Sequence, residues 1–180
     1  MLESSLPDMH KQMRDNPVEL SILVAVLKNL VEEFAPIIHF RAIIETFMRL
    51  RAQGAERLDI LRAIRLLPEI RPDLPGNDCP CYFYSLGAGF EEKINGSIQV
   101  VDSESYLALE PEDTQRCLKL VREKISCNPD LKSVTLLVEN GAIRRFVRRL
   151  VELEFPYLFV LSREELLSGL ETRVAGEIEW

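Results

Sequence analysis

"PEIRPDLPGNDCPCYFYSL", residues 68–86, changes the period of the chain within a few positions. Residues 68–80 hold four prolines and a Pro-Gly turn signal, which excludes continuous helix or a central strand there. The six residues that follow, Cys81 to Leu86, are aromatic and aliphatic over a strand-length span. Upstream of this stretch the apolar residues recur at helical spacing, and downstream they come in short runs separated by helical segments. The sequence therefore predicts an α+β chain: an N-terminal helical subdomain over 1–67, a proline-rich linker over 68–80, and a small α/β subdomain with a short-stranded sheet over 81–180.

Upstream, NPVELSILVAVLKNLVEE (16–33) carries Asn16 as N-cap, Pro17 in the first turn and Glu19 at the capping-box position. Leu20, Leu23, Leu27, Leu30 and Val31 form a helical stripe. Ile22, Ala25 and Val26 widen it until the helix is apolar nearly all round, which predicts burial on more than one side or a place at an interface. A second helix, Pro36 to about Gln53, puts Ile37, Phe40, Ile44, Phe47 and Met48 on one side, and Gly54 is its stop. Its Arg41, Glu45 and Arg49 follow each other at i,i+4 on another side and are candidates for lateral pairing with a neighbour, against the plainer reading of surface salt bridges. A third helix runs from Arg57 to Leu67 and ends at Pro68.

Downstream, SYLAL, TLLVE and YLFVLS are each followed by a helical segment. Pro111 with Glu112 and Asp113 opens a helix to about Ser126, and Asn128-Pro129 closes it. Asn140-Gly141 introduces another, and Ser162 with Glu165 forms a capping box for a short final helix, after which RVAGEIEW returns as a strand. The pattern predicts about five short strands.

Composition narrows the function classes. The 180 residues are 47% hydrophobic and 28% charged, enough for one domain or two small ones. A net charge of -7 and the lack of basic–aromatic interleaving argue against nucleic acid as partner. No apolar run approaches the roughly 18 residues of a membrane span. The start, MLESSLPDMHKQMRD, lacks the features of a signal peptide, which points to the cytosol. Cys79 and Cys81 are too close for an ordinary structural disulfide or a C-x-x-C pair, and the four cysteines with His10 and His39 show no familiar zinc spacing, so no metal or cofactor is expected. LGAGF (86–90) lacks the third glycine and following helix of a dinucleotide fingerprint and reads as a turn. His39 reads as a partly buried helix histidine, and the carboxylates Glu91-Glu92 and Glu110, Glu112 and Asp113 as helix openers. No nucleophile elbow stands at a strand end, so the chain is read as non-enzymatic, with a small α/β nucleotide-binding or enzymatic domain as the alternative.

AIRRFVRRLVELEFPYLFVLS (142–162) is the one basic cluster in an acidic chain. On a helical wheel Ile143, Phe146, Val147, Leu150 and Val151 share one side, and Arg144, Arg145, Arg148 and Arg149 cover the opposite arc with Glu152 among them. The wheel predicts four outward arginines, either a solvated face with Arg148 paired to Glu152 or a docking surface for an acidic protein segment.

Taken in order, LVAVLKNLVEE, FRAIIETF, SYLALEPED and AIRRFVRRLVELEFPYLFVLS with a closing strand resemble the C-terminal cytosolic part of the type III secretion export-gate family, which includes flagellar and virulence-system gate proteins. The resemblance spans about residues 18–178 and is most specific at Tyr106–Asp113 and Ile143–Leu166. The chain departs from the family pattern at Ile38-His39-Phe40, in a shorter 53–74 segment, and at Glu110, where an aspartate is more usual. The resemblance implies a helical subdomain that supplies ring contacts and an α/β subdomain where partners approach. It further implies a piece of a longer bacterial inner-membrane protein whose missing N-terminal region is membrane-embedded, with Met1 not the natural start. The implied role is a cytoplasmic, non-enzymatic receptor for protein transport. It assembles as a homo-oligomer, a nonameric ring in the full-length protein, that docks the ATPase stalk protein, the gatekeeper and chaperone–substrate complexes.

Overall fold

The computed structural model describes residues 16–70, 82–101, 104–128, 134–166 and 173–180. The chain divides into two compact units, Met1–Pro72 and Asp73–Trp180.

The first unit is built from α1 (Pro17–Glu32), α2 (Phe40–Ala52) and α3 (Arg57–Arg65). Asn16 starts α1 by accepting the Glu19 backbone N–H at 3.3 Å, and Pro17 fills a position whose N–H would have no partner. Leu23, Val26 and Leu30 of α1 share one buried cluster with Ile43, Ile44 and Phe47 of α2 and Ile60, Leu61 and Ile64 of α3. Ile70, which the sequence assigned to the linker, is buried in the same cluster. Two ion pairs brace the bundle. Arg51 grips Glu19 through two bonds of 2.9 and 2.8 Å, and Arg65 meets Glu33 at 3.0 Å with both side chains nearly out of water.

The α1 and α2 helices end alike. Beyond α1, Phe34 N–H donates to the Val31 carbonyl (3.1 Å) and Ala35 N–H to the Leu30 carbonyl (2.8 Å). Beyond α2, Gly54 N–H donates to Arg51 (2.9 Å) and Ala55 N–H to Leu50 (3.0 Å). Both are Schellman closures, with a left-handed residue just past the cap. α2 begins at Phe40 and not at Pro36. His39 is therefore an exposed residue ahead of the helix, where the sequence reading had it partly buried within one.

The second unit holds a four-stranded parallel sheet in the order β5-β4-β1-β6 and a separate antiparallel ribbon of β2 and β3. The strands are β1 (Tyr82–Leu86), β2 (Ile98–Val101), β3 (Glu104–Leu107), β4 (Val134–Val138), β5 (Phe159–Ser162) and β6 (Arg173–Ile178). Its helices are α4 (Ala88–Gly96), α5 (Pro111–Ile125) and α6 (Arg144–Val151). Every residue of β4 is buried, as a strand covered on both faces requires. Phe90, Ile94, Cys117, Val121, Phe146, Val147 and Val151 pack helices against that sheet. At the bulge between β1 and β6, Gly176 lies under the Tyr84 ring, where a Cβ would stand 3.4 Å from the ring edge.

Three expectations change here. LGAGF is not a simple turn: Gly87 caps α4, which starts at Ala88. β2 has no counterpart among the five expected strands; three of its four residues are exposed, so no burial pattern marked it. The short final helix is a single 3-10 turn, Arg163–Glu165, although its Ser162–Glu165 capping box is present.

Candidate protein-docking surfaces

The arginine helix does not turn four arginines outward. Arg144 and Arg148 are 5% and 6% exposed, Arg145 is half-buried and, of the four, Arg149 alone is exposed. The cause lies in the segment after α6. Residues 155–158 turn back, and the Arg148 guanidinium donates to the carbonyls of Pro156 (3.0 Å), Leu158 (3.3 Å) and Phe155 (3.4 Å). One turn earlier, Arg144 approaches Glu165 at 3.5 Å. Glu165 also accepts the Ser162 N–H at 2.8 Å, so a single carboxylate joins α6 to the end of β5. The buried arc of the wheel thus extends past Val147 and Val151 to include both arginines. The i,i+4 spacing of Arg144 and Arg148 beside those valines, with backbone carbonyls returning a few residues later, is the signal that the wheel alone missed.

With that loop pinned, the helix–loop surface shows Arg149, Leu153 (91% exposed) and Tyr157 (62% exposed). Arg145 lies over the Phe146 ring at 4.3 Å. The β2–β3 ribbon adds exposed Val100, Val101 and Tyr106.

In the first unit, Arg41 pairs with Glu45 at 2.8 Å, both about half exposed, and Arg49 is exposed one turn on. The larger feature there is apolar. Leu20, Val24 and Val31 are exposed and Leu27 half-buried, at spacings of four, three and four, which makes a second stripe about a quarter-turn from the core-facing Leu23, Val26 and Leu30. It continues in sequence into exposed Phe34, Ile37, Ile38 (82%) and Phe40. The sequence reading recognised α1 as apolar on more than one side; it did not single out residues 34–40 as exposed.

The strand–turn–helix at Gly87 is where α/β domains bind phosphates. Here the chain's own carboxylates lie at that edge of the sheet. A Cβ at Gly87 would collide with the Glu179 carboxylate, and Glu91 accepts the backbone N–H groups of Glu139 (2.6 Å) and Asn140 (3.1 Å) just beyond β4. Burial pushes the Cys117 thiol up to about 11, which removes it as a nucleophile at neutral pH. Among the described residues no cluster of His, Cys, Asp and Glu could hold a metal ion, and no helix is long and apolar enough to cross a membrane.

The helical unit has an exposed apolar stripe, and the buried charges of the parallel-sheet unit serve its own loops. The chain belongs to the FHIPEP family, whose model matches residues 1–171, and with it to the type III secretion export-gate proteins. It is 32% identical over 171 residues to the low calcium response locus protein D of Yersinia pestis, covering 89% of this chain and 23% of that protein. Its structure is similar to the CdsV protein in the CdsV–CdsO complex of Chlamydia pneumoniae (31% identity, TM-score 0.80, 98% of this chain and 52% of that one). It is also similar to the nonameric EscV cytosolic domain of a type III secretion system (25% identity, TM-score 0.74, 99% and 53%). The chain thus spans about a quarter of its curated relative and about half of each of the two solved chains.

Proposed function

We propose that this chain serves a bacterial inner-membrane export gate on the cytoplasmic side and works by binding alone, without covalent chemistry. Its helical unit makes lateral contacts in a ring, its α/β unit receives soluble components of the apparatus, and the 68–80 run joins the two. The observation that carries this reading is the second apolar stripe of α1. A large exposed apolar surface is costly to keep unless another protein covers it, and a relative with the same fold is nonameric. The exposed charges of the helical unit are of both signs: Lys28 and Glu32 on α1, and Arg41, Glu45 and Arg49 on α2. Mixed charge suits a neighbour of the same kind better than a uniformly charged partner. Arg149 on α6, with Leu153 and Tyr157 on the pinned segment after it, are the proposed receiving surface on the α/β unit. The ATPase stalk protein is the first candidate, given that CdsV is found in complex with CdsO, and gatekeeper and chaperone–substrate complexes follow. Arg144, Arg145 and Arg148 contribute by shaping that surface.

Tethering tests the lateral reading, because weak contacts grow with effective concentration. Donor- and acceptor-labelled chains are held on nickel-lipid vesicles by an N-terminal histidine tag. Energy transfer is expected to rise with surface density above that of an inert tethered protein, and to fall to the inert level when Leu20, Val24 and Val31 are all changed to Ser. Wild-type transfer no higher than the inert control would overturn assembly through this unit.

A further inference from the structure

The second stripe of α1 has a regular step. Leu20, Val24 and Val31, exposed, and Leu27, half-buried, follow one another at four, three and four residues. That is the spacing of a coiled-coil seam. In heptad terms valine holds both a positions and leucine both d positions, the choice that favours two parallel strands. The core-facing Leu23, Val26 and Leu30, a quarter-turn away, are buried in the cluster with α2 and α3. α1 therefore packs as an inner helix on one side and carries a second seam, still exposed, on the other. From Leu20 to Val31 this seam runs about 16 Å, at about 1.5 Å per residue. Knobs at such a spacing fit the holes that another helix presents.

The helix that matches is α1 itself. Among the described helices it alone has a row of exposed large apolar residues; α2 shows Phe40 at its first position, and α3 to α6 show none. A surface that complements itself makes an isologous contact, in which each residue meets its own counterpart about a two-fold axis and assembly stops at two. The charges permit it. Ser21 and Lys28 take the e positions, so in a parallel pair the two Lys28 side chains fall on opposite sides of the seam and do not meet.

We propose that copies of this chain outside the ring pair two-fold through α1, parallel and in register, with Val24 on its counterpart Val24 and Leu27 on its counterpart Leu27. This goes beyond the ring-forming reading and does not rest on it. A ring contact is heterologous and joins the stripe to a different surface of the next copy. Pair and ring therefore exclude each other at the stripe, and a paired chain is held out of assembly.

A charge swap at Val24 tests the pair, because 42% of this side chain is exposed and either charge can be carried without unfolding the bundle. Sedimentation equilibrium of the untethered full chain, from about 10 µM to about 1 mM, is expected to show monomer and dimer alone, in a weak equilibrium set by the short contact. Val24→Asp and Val24→Lys, with urea midpoints unchanged, are each expected to dimerise about tenfold less, since like charges then face each other. Their equimolar mixture is expected to regain about that tenfold as a heterodimer. A wild-type chain that stays monomeric throughout the series would overturn the proposal. So would a mixture no stronger than either variant alone, because residue 24 would not then be meeting its own counterpart. Swapped charges give no rescue in a heterologous contact, so this experiment and the energy transfer between tethered chains fail separately.

Discussion

Arg144 and Arg149 are neighbours on one short helix, yet they face opposite demands. Arg144 is paired with Glu165 away from water, whereas Arg149 is exposed. Removing one partner of a buried pair leaves the other charge unsolvated and costs about 3–5 kcal/mol, while an exposed arginine is worth within about 0.5 kcal/mol. Arg144→Ala is therefore expected to lower the denaturant midpoint of the second unit sharply, and Arg148→Ala to lower it by removing the donor to three backbone carbonyls. Arg149→Ala is expected to leave it unchanged. The only tryptophan reads this directly: Trp180 meets Phe90 edge-on at 6.1 Å and lies under Arg116 at 4.5 Å, so its fluorescence follows the packing of the second unit. Equal midpoints for all three variants would mean that the buried arginines do not hold the loop.

At the scale of elements, α1 carries two adjacent apolar faces and is clamped at its N-terminal end by Glu19. The Arg51 guanidinium hydrogen-bonded to Glu19 holds its carboxyl below the usual carboxylate range, against partial burial, which pushes it up. A carboxyl whose pKa is lower folded than unfolded adds stability above the unfolded value, about 4.3, and loses it as pH falls through the folded value. Glu19→Gln is thus expected to cost about 1 kcal/mol at pH 7. The gap to wild type should close as the pH is lowered through and below 4, measured by urea melts of the helical unit across pH. A constant gap would place the effect in packing. The legible features were the local ones: Asn16 opens α1, Gly54 follows the end of α2 and the Ser162–Glu165 box starts the 3-10 turn, each acting within four residues of itself, whereas the Glu19–Arg51 clamp spans 32 residues. β2 and the start of α4 were not legible, because an exposed ribbon strand shows no burial alternation and a glycine-rich helix start looks like a turn.

For the whole molecule, the order of segments disclosed the family and the α+β architecture, since a change from helical to strand periodicity survives any loop. The docking surface was only half visible. A wheel sorts residues by one helix's geometry and knows nothing of the chain that returns over it, so it places outside both Arg148, which residues 155–158 engage, and Arg144, which meets Glu165. Exposed Phe34 and Ile38 went unnoticed for the converse reason: apolar residues at helical spacing read as core until the neighbouring elements are in place. The proposed function is that of a molecule acting through its outer faces, with the apolar stripe of α1 meeting the next copy and the pinned loop open to other partners. Hydroxyl-radical footprinting of tethered chains at low and high surface density tests this most directly. Protection at Leu20, Val24, Val31, Phe34 and Ile38 on crowding is expected, with Leu153 and Tyr157 as reactive as before. Unchanged reactivity along α1, with protection confined to the second unit, would contradict it.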